Sequence, residues 1–225
     1  MRLSFVLLTA LQISVAAHAA DARHPTIVEL FQSQGCSSCP PAAANINALA
    51  DRPDILALSF GVTYWDQLGW KDIYAKPQFT ARQWDYALGL KHSNVWTPQV
   101  VINGRSDIVG TERRSLDAAI ARADRGTGGP ALDLAANRLS VSGVGAGDVW
   151  LVRYDPRTVQ VPVKRGENGG RTLPHRNVVR ELVKLGPWTG PAKAFTLPTA
   201  TQPGLATAAF VQTGPGGPII AAVRG

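Results

Sequence analysis

The chain has 225 residues, of which 45% are apolar and 17% charged, and its 23 Lys and Arg outnumber 16 Asp and Glu for a formal charge of +7. That is the composition of an ordinary soluble globule of one or two domains, long enough to bury a sizeable core. Beyond the N-terminal leader no segment approaches the ~20 apolar residues of a transmembrane helix. The basic residues are scattered, densest between Arg153 and Arg180, which describes a solvated surface rather than a nucleic-acid partner.

In chain order, Arg2 precedes a mostly apolar run from Leu3 to Ala17, and Ala17-His18-Ala19 offers the small-x-small pattern read by signal peptidase. Residues 1–20 therefore read as a cleaved signal peptide, and the mature chain is expected to be periplasmic or secreted. Thr26 to Phe31 is an apolar strand with one charge, Glu29, of the kind found inside a parallel sheet. Cys36-Ser37-Ser38-Cys39 follows, holding the two cysteines of the sequence. A bridge between them closes a very small loop, and the entropic benefit of a disulfide grows with loop length. Reactivity explains the pair better than stapling.

Ala42 to Ala50 is a run of helix formers, and Ile55 to Val62 a second strand, giving a right-handed crossover between parallel strands. The aromatic segment Tyr64 to Tyr74 leads into a helix over Gln78 to Leu90. Val100 to Ile102, the Asn103-Gly104 turn and Ser106 to Val109 read as a hairpin. A last helix starts at Thr111 and buries Leu116, Ala119, Ile120 and Ala123. This alternation is an α/β architecture over residues 21–125, with an aromatic insertion at about 64–90.

Arg125 to Pro130 is rich in helix breakers, so residues 126–130 read as a linker. Beyond it come short strand-like runs at 139–142, 149–154, 159–163, 178–185, 194–197, 208–212 and 219–223. These predict an all-β domain over 131–225, a sandwich or partial barrel. Its most unusual piece, Arg165 to Asn177, lacks the spacing of a P-loop. Two readings of it stand: a long hairpin loop, or a loop that reaches over the cysteines or grips a partner.

The VELF strand, the CSSC pair and the WTPQVVINGR segment together resemble the thioredoxin superfamily. The closer resemblance, carried by VELFQSQGCSSCPPA, YWDQLGWKD, TPQVVINGR and RGENGGRTLPHRNVV, is to a family of exported bacterial thioredoxin-like proteins of unknown function. The resemblance implies a thioredoxin-like domain followed by the β domain, a cis Pro98 lying against the cysteines, and Glu29 in the place of a buried acid. The Ser37-Ser38 dipeptide would bear on the redox potential.

Thiol-disulfide exchange needs an attacking thiolate, a resolving thiol and access for a substrate sulfur. Cys36, near the helix start, is the expected nucleophile, because exposed N–H groups there lower a thiol's pKa. Cys39 would resolve. Glu29 could relay a proton to or from Cys39, or be salt-bridged at the sheet edge. With Pro98 cis, the Thr97 backbone could pair with an extended substrate, and Trp65 could border the cysteines or simply pack in the core. Three functions compete: a cofactor-free thiol-disulfide oxidoreductase with a protein substrate and a recycling partner, a Cu(I)-handling protein in which His175 adds a ligand, and a noncatalytic binding protein with an inert disulfide. One C-x-x-C supplies only half of a tetrahedral zinc site, so no metal site is assigned.

Overall fold

The computed structural model describes residues 19–225, so most of the expected signal peptide, residues 1–18, lies outside the described residues. The first half follows the sequence pattern. Strand β1 (Thr26–Gln32), helix α1 (Cys39–Leu49) and strand β2 (Ile55–Gly61) form the expected crossover, with β1 and β2 parallel and in register from Thr26–Ile55 to Gln32–Gly61. Helix α2 (Pro77–Gly89), strands β3 (Gln99–Ile102) and β4 (Ser106–Ile108), and helix α3 (Arg113–Arg122) complete it. Helix α1 begins at Cys39 rather than past the prolines, since Pro40 and Pro41 sit in the first turn, where N–H groups have no intrahelical partner.

The second half departs from the expected layout. Its strands are β5 (Ala131–Ala135), β6 (Arg138–Ser142), β7 (Gly147–Asp155), β8 (Val159–Pro162), β9 (Thr172–His175), β10 (Val178–Trp188), β11 (Ala192–Thr196), β12 (Ala206–Gln212) and β13 (Ile219–Arg224). Four of them extend the first half's sheet into one eight-stranded mixed sheet, ordered β13-β12-β7-β10-β2-β1-β3-β4. A thioredoxin-like α/β domain followed by a separate all-β sandwich or barrel is thus corrected: the protein is mostly β, and strands from both sides of the 126–130 segment share a sheet.

The physical reason lies at the free edge of β2, whose unpaired backbone groups need partners. Asn177, at φ 49°, turns the chain onto that edge. Its Nδ2 donates to the Ala57 carbonyl at 2.8 Å, its own carbonyl accepts from Ser59 N at 3.0 Å, and Val178 pairs in parallel with Ser59.

Alternation along the strands gives the sheet two apolar faces. On one, Ile27, Phe31, Leu58 and Phe60 pack with Phe79 and Tyr86 of α2 and continue into Val152, Val179 and Phe210. On the other, Val28, Leu30, Ile55 and Ala57 meet Ala42, Ile46 and Leu49 of α1 and Leu116 and Ile120 of α3. That second face is covered further along by the small sheet β11-β6-β5, through Leu139, Val141 and Phe195. The remaining hairpin, β8-β9, packs Val161, Val163 and Leu173 against Trp70 and Tyr74. It brings the 163–171 loop to the cysteine end of the sheet.

Candidate functional site

The site grows from the C-terminal end of β1. After Gln32 the chain turns through Ser33-Gln34-Gly35, closed by Cys36 N donating to Ser33 O at 3.1 Å. Gly35 fits because a Cβ there would lie 3.2 Å from Trp65 Cδ1 and 3.5 Å from Trp70 Cβ. Cys36 and Cys39 are joined as a disulfide with Cα atoms 5.5 Å apart, immediately before and in the first turn of α1. Ser37 and Ser38 are exposed, while Cys36 and Cys39 are 0% and 1% exposed.

The segment before β3 supplies the facing wall. Thr97–Pro98 is a cis peptide and Pro98 is buried. The Thr97 carbonyl lies 3.8 Å from Cys36 Sγ, and the Thr97 hydroxyl lies 3.2 Å from Cys39 Sγ while donating to Phe31 O at 3.1 Å. Ser38 Oγ is 3.3 Å from Cys36 Sγ. In the disulfide both sulfurs can only accept. The disulfide therefore receives no hydrogen bond from Thr97, whose carbonyl has no hydrogen and whose hydroxyl gives its own to Phe31 O; in a dithiol the two Thr97 oxygens can accept from two S–H groups.

Cys36, Cys39, Ser37, Ser38, Thr97, Pro98 and Trp65 are therefore brought together. Glu29 is not among them. It points to the α2 face, where its Oε1 accepts from Arg82 Nε at 2.8 Å and its Oε2 from Arg82 Nη2 at 3.1 Å and from the Tyr86 hydroxyl. Cys39 belongs to the helix on the opposite face. Of the two readings of Glu29, the ion pair is the one observed, buried within the sheet rather than at its edge.

Two further groups of residues lie at the cysteines. The first is the 163–171 loop. Asn168, fully buried, donates from Nδ2 to Gln34 O at 2.9 Å and to Cys36 O at 2.7 Å, and its Oδ1 accepts from Arg171 Nη1 at 2.7 Å. Glu167 Oε2 accepts from Ser37 N at 2.9 Å and Ser37 Oγ at 2.8 Å. These bonds, the Ser37 N–H above all, hold the Glu167 carboxyl below the usual glutamate range. The loop thus reaches over the cysteines, one of the two readings of Arg165 to Asn177. The signal was the glycine-rich insert itself, although nothing in its pattern marked Asn168 as buried.

The second group lies behind Cys39. Gln32, Ser33, Cys39, Pro40, Ala43 and His175 line a cavity of ≈ 40 Å³, and a smaller one of ≈ 10 Å³ lies between Gln32, Asp72, Tyr74 and His175. Burial pushes His175 down to about 4 and Asp72 up to about 6. Asp72 remains tied to the turn by Gln34 N at 2.8 Å and Tyr74 N at 2.7 Å. Among the described residues no group of three or more His, Cys, Asp or Glu is placed to hold a metal ion. Nor is any described helix long and apolar enough to cross a membrane.

Comparison with known proteins bears on the whole arrangement, because the family model described as "protein of unknown function (DUF1223)" matches residues 27–212. The chain belongs to the DUF1223 family. An Agrobacterium tumefaciens protein with a crystal structure is similar at 30% identity, over 92% of this chain and 95% of that one, with a TM-score of 0.72. HBP35 of Porphyromonas gingivalis is similar in fold, with a TM-score of 0.56 at 12% identity over 92% of this chain and 76% of that one. No curated protein matches the chain. The DUF1223 match runs from β1 through β12, so it includes the cysteines, the Thr97–Pro98 wall and the covering loop.

Proposed function

We propose that the protein is an exported thiol-disulfide oxidoreductase, periplasmic or secreted, with a thioredoxin-like redox site built into a larger mixed sheet. The observation that carries this reading is the paired placement of Cys36 and Cys39 at the start of α1 with the carbonyl and hydroxyl oxygens of Thr97 against their two sulfurs. In the reducing direction the Cys36 thiolate attacks a substrate disulfide, forming a mixed disulfide and releasing one substrate thiolate. Cys39 then attacks Cys36 Sγ, the mixed bond breaks, the second substrate thiolate leaves, and the Cys36–Cys39 disulfide forms. The substrate gains two electrons and the protein loses two; oxidation of a substrate dithiol is the same sequence reversed. The helix start favours the Cys36 thiolate through its unpaired N–H groups.

Access requires the covering loop to move, because Cys36 is fully buried beneath it. That burial favours a second reading, a binding protein whose disulfide is inert. One experiment separates the two. The purified protein and its Cys39→Ser variant are incubated with a labelled peptide disulfide, and the reduction potential of the wild-type pair is measured. A trapped Cys36 mixed disulfide and a potential above about −300 mV are expected for the oxidoreductase. No trapped adduct, with a potential below that value, overturns it in favour of the inert bridge.

A further inference from the structure

His175 is 3% exposed, and its Nε2 has no hydrogen-bond partner. A buried polar nitrogen left unpaired is costly, so its presence next to a reactive pair calls for a reason. Its other nitrogen is accounted for. Gln32 Nε2 lies 2.6 Å from Ser59 Oγ and 3.1 Å from His175 Nδ1, so the amide gives one hydrogen to each. Nδ1 is then the acceptor, and the proton of the neutral ring sits on Nε2. A free N–H donor remains on a residue that lines the same ≈ 40 Å³ cavity as Cys39. That volume is enough for a water molecule, and since the cavity wall is mostly apolar such a water depends on the few polar groups there, His175 among them.

On the thiol-disulfide reading above, we propose that His175 is a positioning residue for the resolving step, its Nε2–H donating across this cavity, through a held water, to the Cys39 sulfur. A thiolate gains more from such a donor than a thiol does, so the interaction increases the fraction of Cys39 able to attack Cys36. The Cys39 proton passes to solvent, and the bonds made and broken are those of the resolving step. Burial keeps the imidazole neutral down to about pH 4, so the donor is the uncharged Nε2–H throughout the working range. The other groups facing the ring are Gln32 from β1, Ser59 from β2, and Asp72 and Tyr74 from the segment after β2; apart from Cys39 itself, the residues of α1 lining the cavity carry no charge. Arg176, the next residue, turns away to Asp51 with two contacts of 2.7 Å.

The test isolates Cys39 as the single thiol in the full mature chain carrying Cys36→Ser, and follows its thiolate absorbance against pH. His175→Asn keeps a group at the Nδ1 position but cannot reach that of Nε2, whereas His175→Gln places an amide N–H there. The thiolate fraction at neutral pH is expected to fall at least tenfold in His175→Asn and to recover in His175→Gln. In the two-cysteine protein, the preformed Cys36 mixed disulfide should resolve correspondingly more slowly in His175→Asn, with the Cys36 attack rate unchanged. An unaltered Cys39 titration in a folded His175→Asn variant overturns the proposal. Should that variant not fold, imidazole ¹⁵N shifts of wild-type His175 decide: a change at Nε2 on reduction supports the role, and identical shifts in both redox states overturn it. A normal Cys39 response without any mixed disulfide from a substrate would instead sink the oxidoreductase reading.

Discussion

Asn168 stands 132 residues beyond Cys36, and its side-chain amide donates a 2.7 Å hydrogen bond to the Cys36 carbonyl. The same amide serves Gln34, so one buried side chain fixes both the approach to the cysteine turn and the cover above it. Removing it leaves the buried Gln34 carbonyl without a donor, at a cost of about 1–3 kcal/mol, and the Cys36 carbonyl with the Cys39 N–H alone, at 3.2 Å. Asn168→Ala should therefore lower the urea midpoint. It should also speed reduction of the disulfide by dithiothreitol, by about fivefold for each kcal/mol of loop closure lost. A lowered midpoint with an unchanged reduction rate would show that the loop does not govern access.

Glu167 gives the same cover a pH dependence. Its carboxyl is held low by the Ser37 N–H and hydroxyl, so the ionised form favours the closed loop. For a carboxyl depressed in this way the contribution is complete above the ordinary glutamate value and is lost as pH falls through the depressed one. A phosphine reductant, which stays active in acid, should reduce the disulfide faster as pH falls below the ordinary range of ~4. Glu167→Gln should remove that acceleration and react at one rate across the range. An acceleration that survives in Glu167→Gln assigns the effect to another group.

The Glu29–Arg82 pair should matter for stability and not for exchange. Both side chains are nearly inaccessible, and the guanidinium also meets Gln212 Oε1 at 3.0 Å and the Tyr86 and Phe210 rings at 4.9 and 5.0 Å. Arg82→Met strands a buried carboxylate, and losing one partner of such a pair costs about 3–5 kcal/mol. The double change Glu29→Leu with Arg82→Met should recover much of that loss in urea unfolding. Glu29→Gln should leave the pH profile of disulfide exchange unchanged, and a shifted profile would return this residue to the redox chemistry.

How much of this was legible in the sequence follows from how local each signal is. The β1-α1-β2 crossover and the cysteine pair sit in segments whose own pattern specifies them, whereas the expectation that a cis Pro98 lies by the cysteines came from the family resemblance, and the Thr97–Pro98 peptide is cis with Thr97 against both sulfurs. The pairing of β10 with β2 was not legible, because alternation shows that Val178 and Val179 belong to a strand but not which edge the strand will join. Asn177, in the left-handed region and bonded to Ala57, makes that choice. Strand β9 was hidden inside a segment read as loop, since Thr172-Leu173-Pro174-His175 contains a proline suited only to an edge strand. Reading it as loop concealed the burial of His175. Glu29 shows the opposite limit: an acid in an apolar strand was evident, but its partner Arg82 lies 53 residues away.

His175 and Asp72 make opposite demands on stability. His175 is held down to about 4 from 6.5, so between those values the unfolded chain binds more protons and stability falls as the solution is acidified. Asp72 is raised to about 6 from 3.8, so over that window the folded chain binds more protons and acidification stabilises it. Each effect is about 3 kcal/mol when fully developed, and between about pH 4 and 6 the two nearly cancel. Removing either group should expose the other. With His175 left alone, Asp72→Asn should lose stability steeply as pH falls from about 6.5 to about 4, whereas His175→Asn, with Asp72 left alone, should gain it from about 6 to about 4. Urea midpoints measured at several pH values for the three proteins check this, and two variants with slopes of the same sign would show that these groups do not titrate as a compensating pair behind Cys39.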